Sequence, residues 1–160
     1  GLPTDTPESF KNSLDSIVRL NAECITVHTL CMKRASRLTT EGVTLDLQQS
    51  RDAREMLAYT QNILGQNEYI PYYMYRQSRM VGNLENVGWS KKGFESLYNV
   101  YVMDETHTIL ACGSGGVTKL KRNNPDYLER IFNFKYPYEY IDRFDELIQR
   151  KSGIMQFYGQ

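Results

Sequence analysis

Helix and strand signals alternate along the first half of the chain, and that order constrains its fold more than any other feature. Thr6 is an N-cap, Pro7 stands where a missing N–H costs nothing, and Glu8 favours the positive helix start. Phe10, Leu14, Ile17 and Val18 then fall on one face at helical spacing. A strand follows from Cys24 to Cys31, apolar or small on both faces, as strands of parallel sheets are. Asp46 caps a second helix with Ala53, Met56, Leu57, Thr60, Ile63 and Leu64 as its buried stripe, and Gly65 marks its end. Residues 69–75 form the next strand, with Pro71 confined to its start or to an edge. Repeated αβ units of this kind pack strands in parallel under right-handed crossovers.

The texture then changes. Residues 82–93 read as a polar loop between Gly82 and Gly93. Residues 97–103 and 108–112 alternate like two strands joined by a hairpin at 104–106, and Val117 to Leu120 resumes the apolar run. Residues 123–126 form a turn, Ile131 to Phe134 a last short strand, and Tyr140, Ile141, Phe144, Leu147 and Ile148 an amphipathic helix stopped near Ser152 and Gly153. Residues 33–44 are polar and predict a loop or a frayed helix. The Gly1-Leu2-Pro3 turn runs straight into a capped helix, as a turn after a strand does, so the order predicts a segment cut from a longer protein.

Composition removes several classes. Among 160 residues, 19 Lys and Arg balance 19 Asp and Glu, so the electrostatic support for nucleic-acid or anionic-membrane binding is missing. No apolar run reaches bilayer length and the start lacks the pattern of a signal peptide, which predicts a soluble cytoplasmic chain. Cys24, Cys31 and Cys112 are odd in number, suit no disulfide framework and fit no compact ligand spacing, so no metal site is expected. His28 and Cys31, three apart in a strand, face opposite sides and make a poor nucleophile pair.

The strand ends carry the chemistry. Lys33, Arg34 and Arg37 follow the first strand, and Arg76 and Gln77 follow the second, where α/β sheets place ligands and basic groups hold carboxylates. Asn83 and Asn86 lie in the Gly-bounded loop beyond. Gly113, Gly115 and Gly116 let a backbone approach a ligand, although a β-bulge or tight corner explains them better. Their spacing is not a dinucleotide fingerprint.

These same segments resemble a known family. Gly1-Leu2-Pro3 with Thr6-Pro7-Glu8 resembles a turn of radical S-adenosylmethionine enzymes in the oxygen-independent coproporphyrinogen oxidase group. Residues 25–30 with 33–38, residues 69–77, 82–88, 96–100 and 109–116 are similar to a Firmicute-type branch of it. The resemblance spans nearly the whole chain. It implies the last βα units of a partial (β/α)6 barrel over residues 1–78, then antiparallel strands and a closing helix over 79–160, packed with it as one unit. It also implies a [4Fe–4S] cluster and S-adenosylmethionine in a longer parent, with the cluster cysteines absent from this chain. In that parent a 5′-deoxyadenosyl radical takes hydrogen from a propionate side chain, and loss of CO₂ and one electron leaves a vinyl group. The parent's partners are then a tetrapyrrole substrate and an electron donor, and the segment alone is inactive.

Carried over by position, Cys31 and the segment Gly113, Gly115, Gly116 and Val117 resemble cofactor-binding positions. Arg34, Arg76, Gln77, Asn83 and Asn86 take the substrate side. Thr4-Asp5 departs from the Gly-Glu usual in the first turn. Haem carriage, known among relatives with a His-Asn-x-x-Tyr-Trp motif, is the alternative; residues 83–89 keep Asn83 and Trp89 but no histidine. A sheet missing its earlier strands also exposes an edge, so self-association is expected.

Overall fold

The computed structural model describes residues 1–34, 36–44, 46–77, 80–123 and 126–159. Its contacts divide into two compact units, Gly1–Leu97 and Tyr98–Gln160. The expected boundary after residue 78 falls between Ser78 and Arg79, which lie outside the described residues.

The first unit starts with helix α1, Pro7–Arg19, and both caps read from sequence form as reciprocal boxes. Thr6 accepts from the Ser9 N–H while Ser9 accepts from that of Thr6. Asp46 and Gln49 do the same at the start of α3, Leu47–Gln66, which ends one residue past Gly65. A short helix, α2, Arg37–Thr40, lies in the stretch expected to be loop or frayed helix. Strand β1 is Cys24–Val27 and β2 is Ile70–Tyr75.

The expected parallel neighbours are not adjacent. A third strand, β3, Asn86–Ser90, lies between them and runs antiparallel to both. β1 and β2 therefore point the same way but never touch. β3 falls inside the stretch read as a polar loop, because its buried Asn86, Gly88 and Ser90 hide an alternation with Val87 and Trp89. One face of the sheet, with Ile25, Val27 and Trp89, meets Leu14 of α1 and Leu64 of α3 in the core. Leu64 is fully buried.

β1 is also shorter than expected. Beyond Val27 the chain leaves the ladder, because the Thr29 N–H donates to Asn86 Oδ1 at 2.7 Å and the Leu30 carbonyl accepts from the Val81 N–H at 3.0 Å. A single 3-10 turn over Val81–Asn83 provides that last donor.

The second unit centres on a hairpin of β4, Val117–Asn123, and β5, Asp126–Phe132, longer than the strands expected there. Asn123 pairs with Asp126, while Asn124 and Pro125 of the expected turn lie outside the described residues. Residues 97–103 are no strand but helix α4, Leu97–Asp104, which satisfies its own backbone groups without a partner strand. The expected strand at 108–112 reduces to one bridge between Ile109 and Lys119. The single closing helix is three: α5, Pro137–Asp142, α6, Phe144–Lys151, and α7, Gly153–Tyr158. The class is α/β, with antiparallel strands and a helical C-terminal end. Among the described residues no helix is long and apolar enough to cross a membrane.

Candidate functional site

The residues that leave β1 and β2 at their C-terminal ends, with the first residue of the oppositely directed β3, enclose a cleft of about 570 Å³. Its lining comprises Gly1, Leu2, Asp5, Phe10, His28, Thr29, Leu30, Cys31, Lys33, Tyr75, Gln77 and Asn86. The wall is built by the bonds that end β1. Asn86, 3% exposed, uses its side chain to hold the Thr29 N–H, and the Thr29 hydroxyl donates to the Glu85 carbonyl at 3.0 Å. Cys31 then bridges to Met80.

His28 and Cys31 therefore do not face opposite ways along a strand. Both line the cleft, because the strand ends before either. The His28 ring meets Tyr75 edge-on, with centroids 6.2 Å apart and planes at 82°. Tyr75 is stacked in turn with Tyr73 at 6.2 Å. Among the described residues no hydrogen bond engages either His28 ring nitrogen.

Side-chain charge in the cleft comes from Lys33 and Asp5. Lys33 donates to the Gln77 side-chain oxygen, a neutral partner that leaves the ammonium charge in place. Asp5 sits at the turn before α1, accepting from the Thr6 N–H at 3.0 Å and from the Ser9 hydroxyl. Arg76, by contrast, is neutralised by an ion pair with Glu85. The arrangement offers a cation, a carboxylate and an imidazole on walls of Phe10, Leu30 and Tyr75, which suits an organic ligand with acidic side chains.

Of the residues that the sequence places at a ligand site, the cleft brings together Cys31, Lys33, Gln77 and Asn86. Arg34 lies in an exposed turn, Arg76 faces Glu85, and Asn83 is exposed in a left-handed conformation with φ 55°; none lines the cleft. Sequence reasoning passed over Asp5, Phe10, His28 and Tyr75 as site residues. Phe10 carries the signal of a core position, and His28 was placed inside a strand that ends before it.

The glycine segment belongs to the second unit and forms a tight corner. The Gly113 N–H donates to the Tyr140 hydroxyl at 3.2 Å, that of Gly115 to the Phe134 carbonyl at 2.7 Å, and that of Gly116 to the Gly113 carbonyl at 3.2 Å. Asn133 braces the corner through the carbonyls of Gly113, at 2.8 Å, and Ala111. These three amides are spent inside the protein, so the segment offers a ligand its Cα edges and Val117. Beside it, Lys151 donates to the Ala111 carbonyl and the Thr118 hydroxyl, and burial lowers its pKa against a smaller opposing effect of Cys112.

Neither a family model nor a solved structure matches the chain. Over 156 residues, 98% of its length, it is 35% identical to HemZ of Bacillus subtilis, an oxygen-independent coproporphyrinogen-III oxidase-like protein. The resemblance read from the motifs thus extends from one end of the chain to the other. The chain spans about a third of that relative's length, 31%.

Proposed function

We propose that this chain is the part of a coproporphyrinogen-decarboxylating radical S-adenosylmethionine enzyme that walls the reaction chamber, acting in haem synthesis within a longer polypeptide. The observation that carries this reading is the end-to-end similarity to an oxidase-like relative three times as long, joined to a cleft at the strand ends. In this reading β1 and β2 are late strands of a partial barrel.

The iron–sulfur cluster does not fit these residues. Among those described, no group of three His, Cys, Asp or Glu side chains is placed to hold a metal ion, so its ligands belong to another segment. S-adenosylmethionine, when bound, supplies the radical; the residues of this chain bind and orient. Lys33, fixed by Gln77, pairs with a carboxylate of the substrate. Asn86 keeps the wall at Thr29 and Cys31 in place, and Phe10, Leu30 and Tyr75 exclude water from a reactive intermediate.

The test is turnover by a polypeptide joining this segment to a Cys-x-x-x-Cys-x-x-Cys segment, with its cluster reconstituted. The expected result is S-adenosylmethionine cleavage coupled to decarboxylation of coproporphyrinogen III. Formation of methionine and 5′-deoxyadenosine with the porphyrinogen untouched would overturn the substrate assignment.

A further inference from the structure

We infer that Asn86 selects a ligand with ionised carboxylates, its side-chain nitrogen donating to a carboxylate oxygen in the cleft at the start of β3. The inference rests on the reading of that cleft as a tetrapyrrole site and gives Asn86 a direct contact, beyond its hold on the wall.

The Asn86 side chain lines the cleft in a residue only 3% exposed. Its orientation is fixed by chemistry. The Thr29 N–H can only donate, so the atom that meets it at 2.7 Å is the amide oxygen, and the nitrogen is turned away. Among the described residues that nitrogen donates to no protein atom. Nor is it sealed from solvent, as the unpartnered Trp89 Nε1 is, so it opens into the cleft that Asn86 lines. The buried Asn133 makes the contrast, since its nitrogen is spent on the Ala111 and Gly113 carbonyls. A buried N–H without an acceptor is destabilising, and a ligand oxygen placed there relieves the cost.

A second amide repeats the pattern. Gln77 turns its oxygen to the Lys33 ammonium, which leaves its nitrogen without a protein acceptor among the described residues. Both amides therefore have their acceptors occupied and their donors free, with a cation beside one of them. Asp5, the carboxylate of the cleft, is held at the start of α1 by the Thr6 N–H and the Ser9 hydroxyl. A group that only accepts matches this set, and an ionised carboxylate does so with two oxygens. A neutral amide on the ligand offers one oxygen and sets its own N–H donors against those of the protein.

The test sets an acid against its amide. Wild type, Asn86→Asp and Asn12→Asp are titrated at neutral pH with metal-free coproporphyrin III and with its tetra-amide, following porphyrin fluorescence. In Asn86→Asp the new carboxylate still accepts from the Thr29 N–H but has no N–H to donate, and it repels a second carboxylate. Asn12 is exposed on α1 and takes the same charge change outside the cleft. Wild type and Asn12→Asp are expected to bind the acid at least about tenfold more tightly than the amide. Asn86→Asp is expected to lose at least about tenfold in affinity for the acid with none lost for the amide, which also shows that it folds. In the wild type, the Asn86 side-chain NH₂ resonances are expected to shift on saturation with the acid, a readout that needs no variant. Unmoved resonances, or wild-type affinity for the acid in Asn86→Asp, would overturn the donor assignment and leave the tetrapyrrole reading standing. So would an equal loss for both ligands in Asn86→Asp, which marks a structural role alone, or a wild type that binds acid and amide equally. Binding of neither ligand by the wild type removes both.

Discussion

At Gly88 one absent side chain sets the geometry of the sheet's open face. A Cβ there would lie 1.9 Å from the Tyr73 ring, which crosses β3 and places its hydroxyl 3.2 Å from that of Thr26. Gly88→Ala must push that ring aside, and overpacking of this kind costs about 1–3 kcal/mol. Urea denaturation checks this, and an unchanged midpoint would contradict it. Glu105 makes a second prediction at this scale. Hydrogen bonds from Lys119, at 2.6 Å, and Arg130, at 2.8 Å, hold its carboxyl below the ordinary value of 4.5 against an opposing desolvation. A depressed pKa contributes stability that is present above the unfolded value and lost as pH falls through the folded one. Thermal melts taken down from about pH 6 should therefore fall more steeply for the wild type than for Glu105→Gln. The groups are partly exposed, so the difference stays below about 1 kcal/mol; parallel curves would contradict it.

Among the elements, the helices α1 and α3 were legible because their start signals are local. A capping side chain and its partner three residues on lie on one short segment, and the apolar stripe of α3 repeats at helical spacing. Asp46→Ala should cost about 1 kcal/mol of stability, measured as a shift in the denaturation midpoint; a shift near zero would show that α3 does not need its cap. Strands were less legible, since pairing depends on partners distant in sequence. β3 hides behind buried polar side chains that are satisfied across the fold, as Asn86 is by Thr29. α4 carries the period of a strand without a strand to receive it. The sheet also leaves β1 as an edge whose four residues include neither charge nor proline. Unguarded edges pair with other strands. Sedimentation velocity should show self-association that grows with concentration, and a clean monomer at high concentration would count against it.

For the molecule as a whole, the similarity to an oxidase-like protein was readable from ordered motifs, whereas the site was readable only in part. Gln77 follows a strand legible in the sequence, where position alone marks it, whereas Asn86 was read in a loop that proves to begin β3; both line the cleft. Arg34 and Arg76 occupy equally suggestive positions in sequence, yet one lies in an exposed turn and the other is paired with Glu85. Which neighbouring cation reaches a ligand depends on partners that only the fold assembles. The central claim is that the cleft beyond β1 and β2 is where a tetrapyrrole binds. Amide chemical-shift mapping of the chain titrated with metal-free coproporphyrin III tests this most directly. The account predicts saturable shifts concentrated at Thr29 to Lys33, Tyr75 to Gln77 and Asn86. Shifts confined to Gly113 to Val117, or no saturable shifts at all, would contradict it.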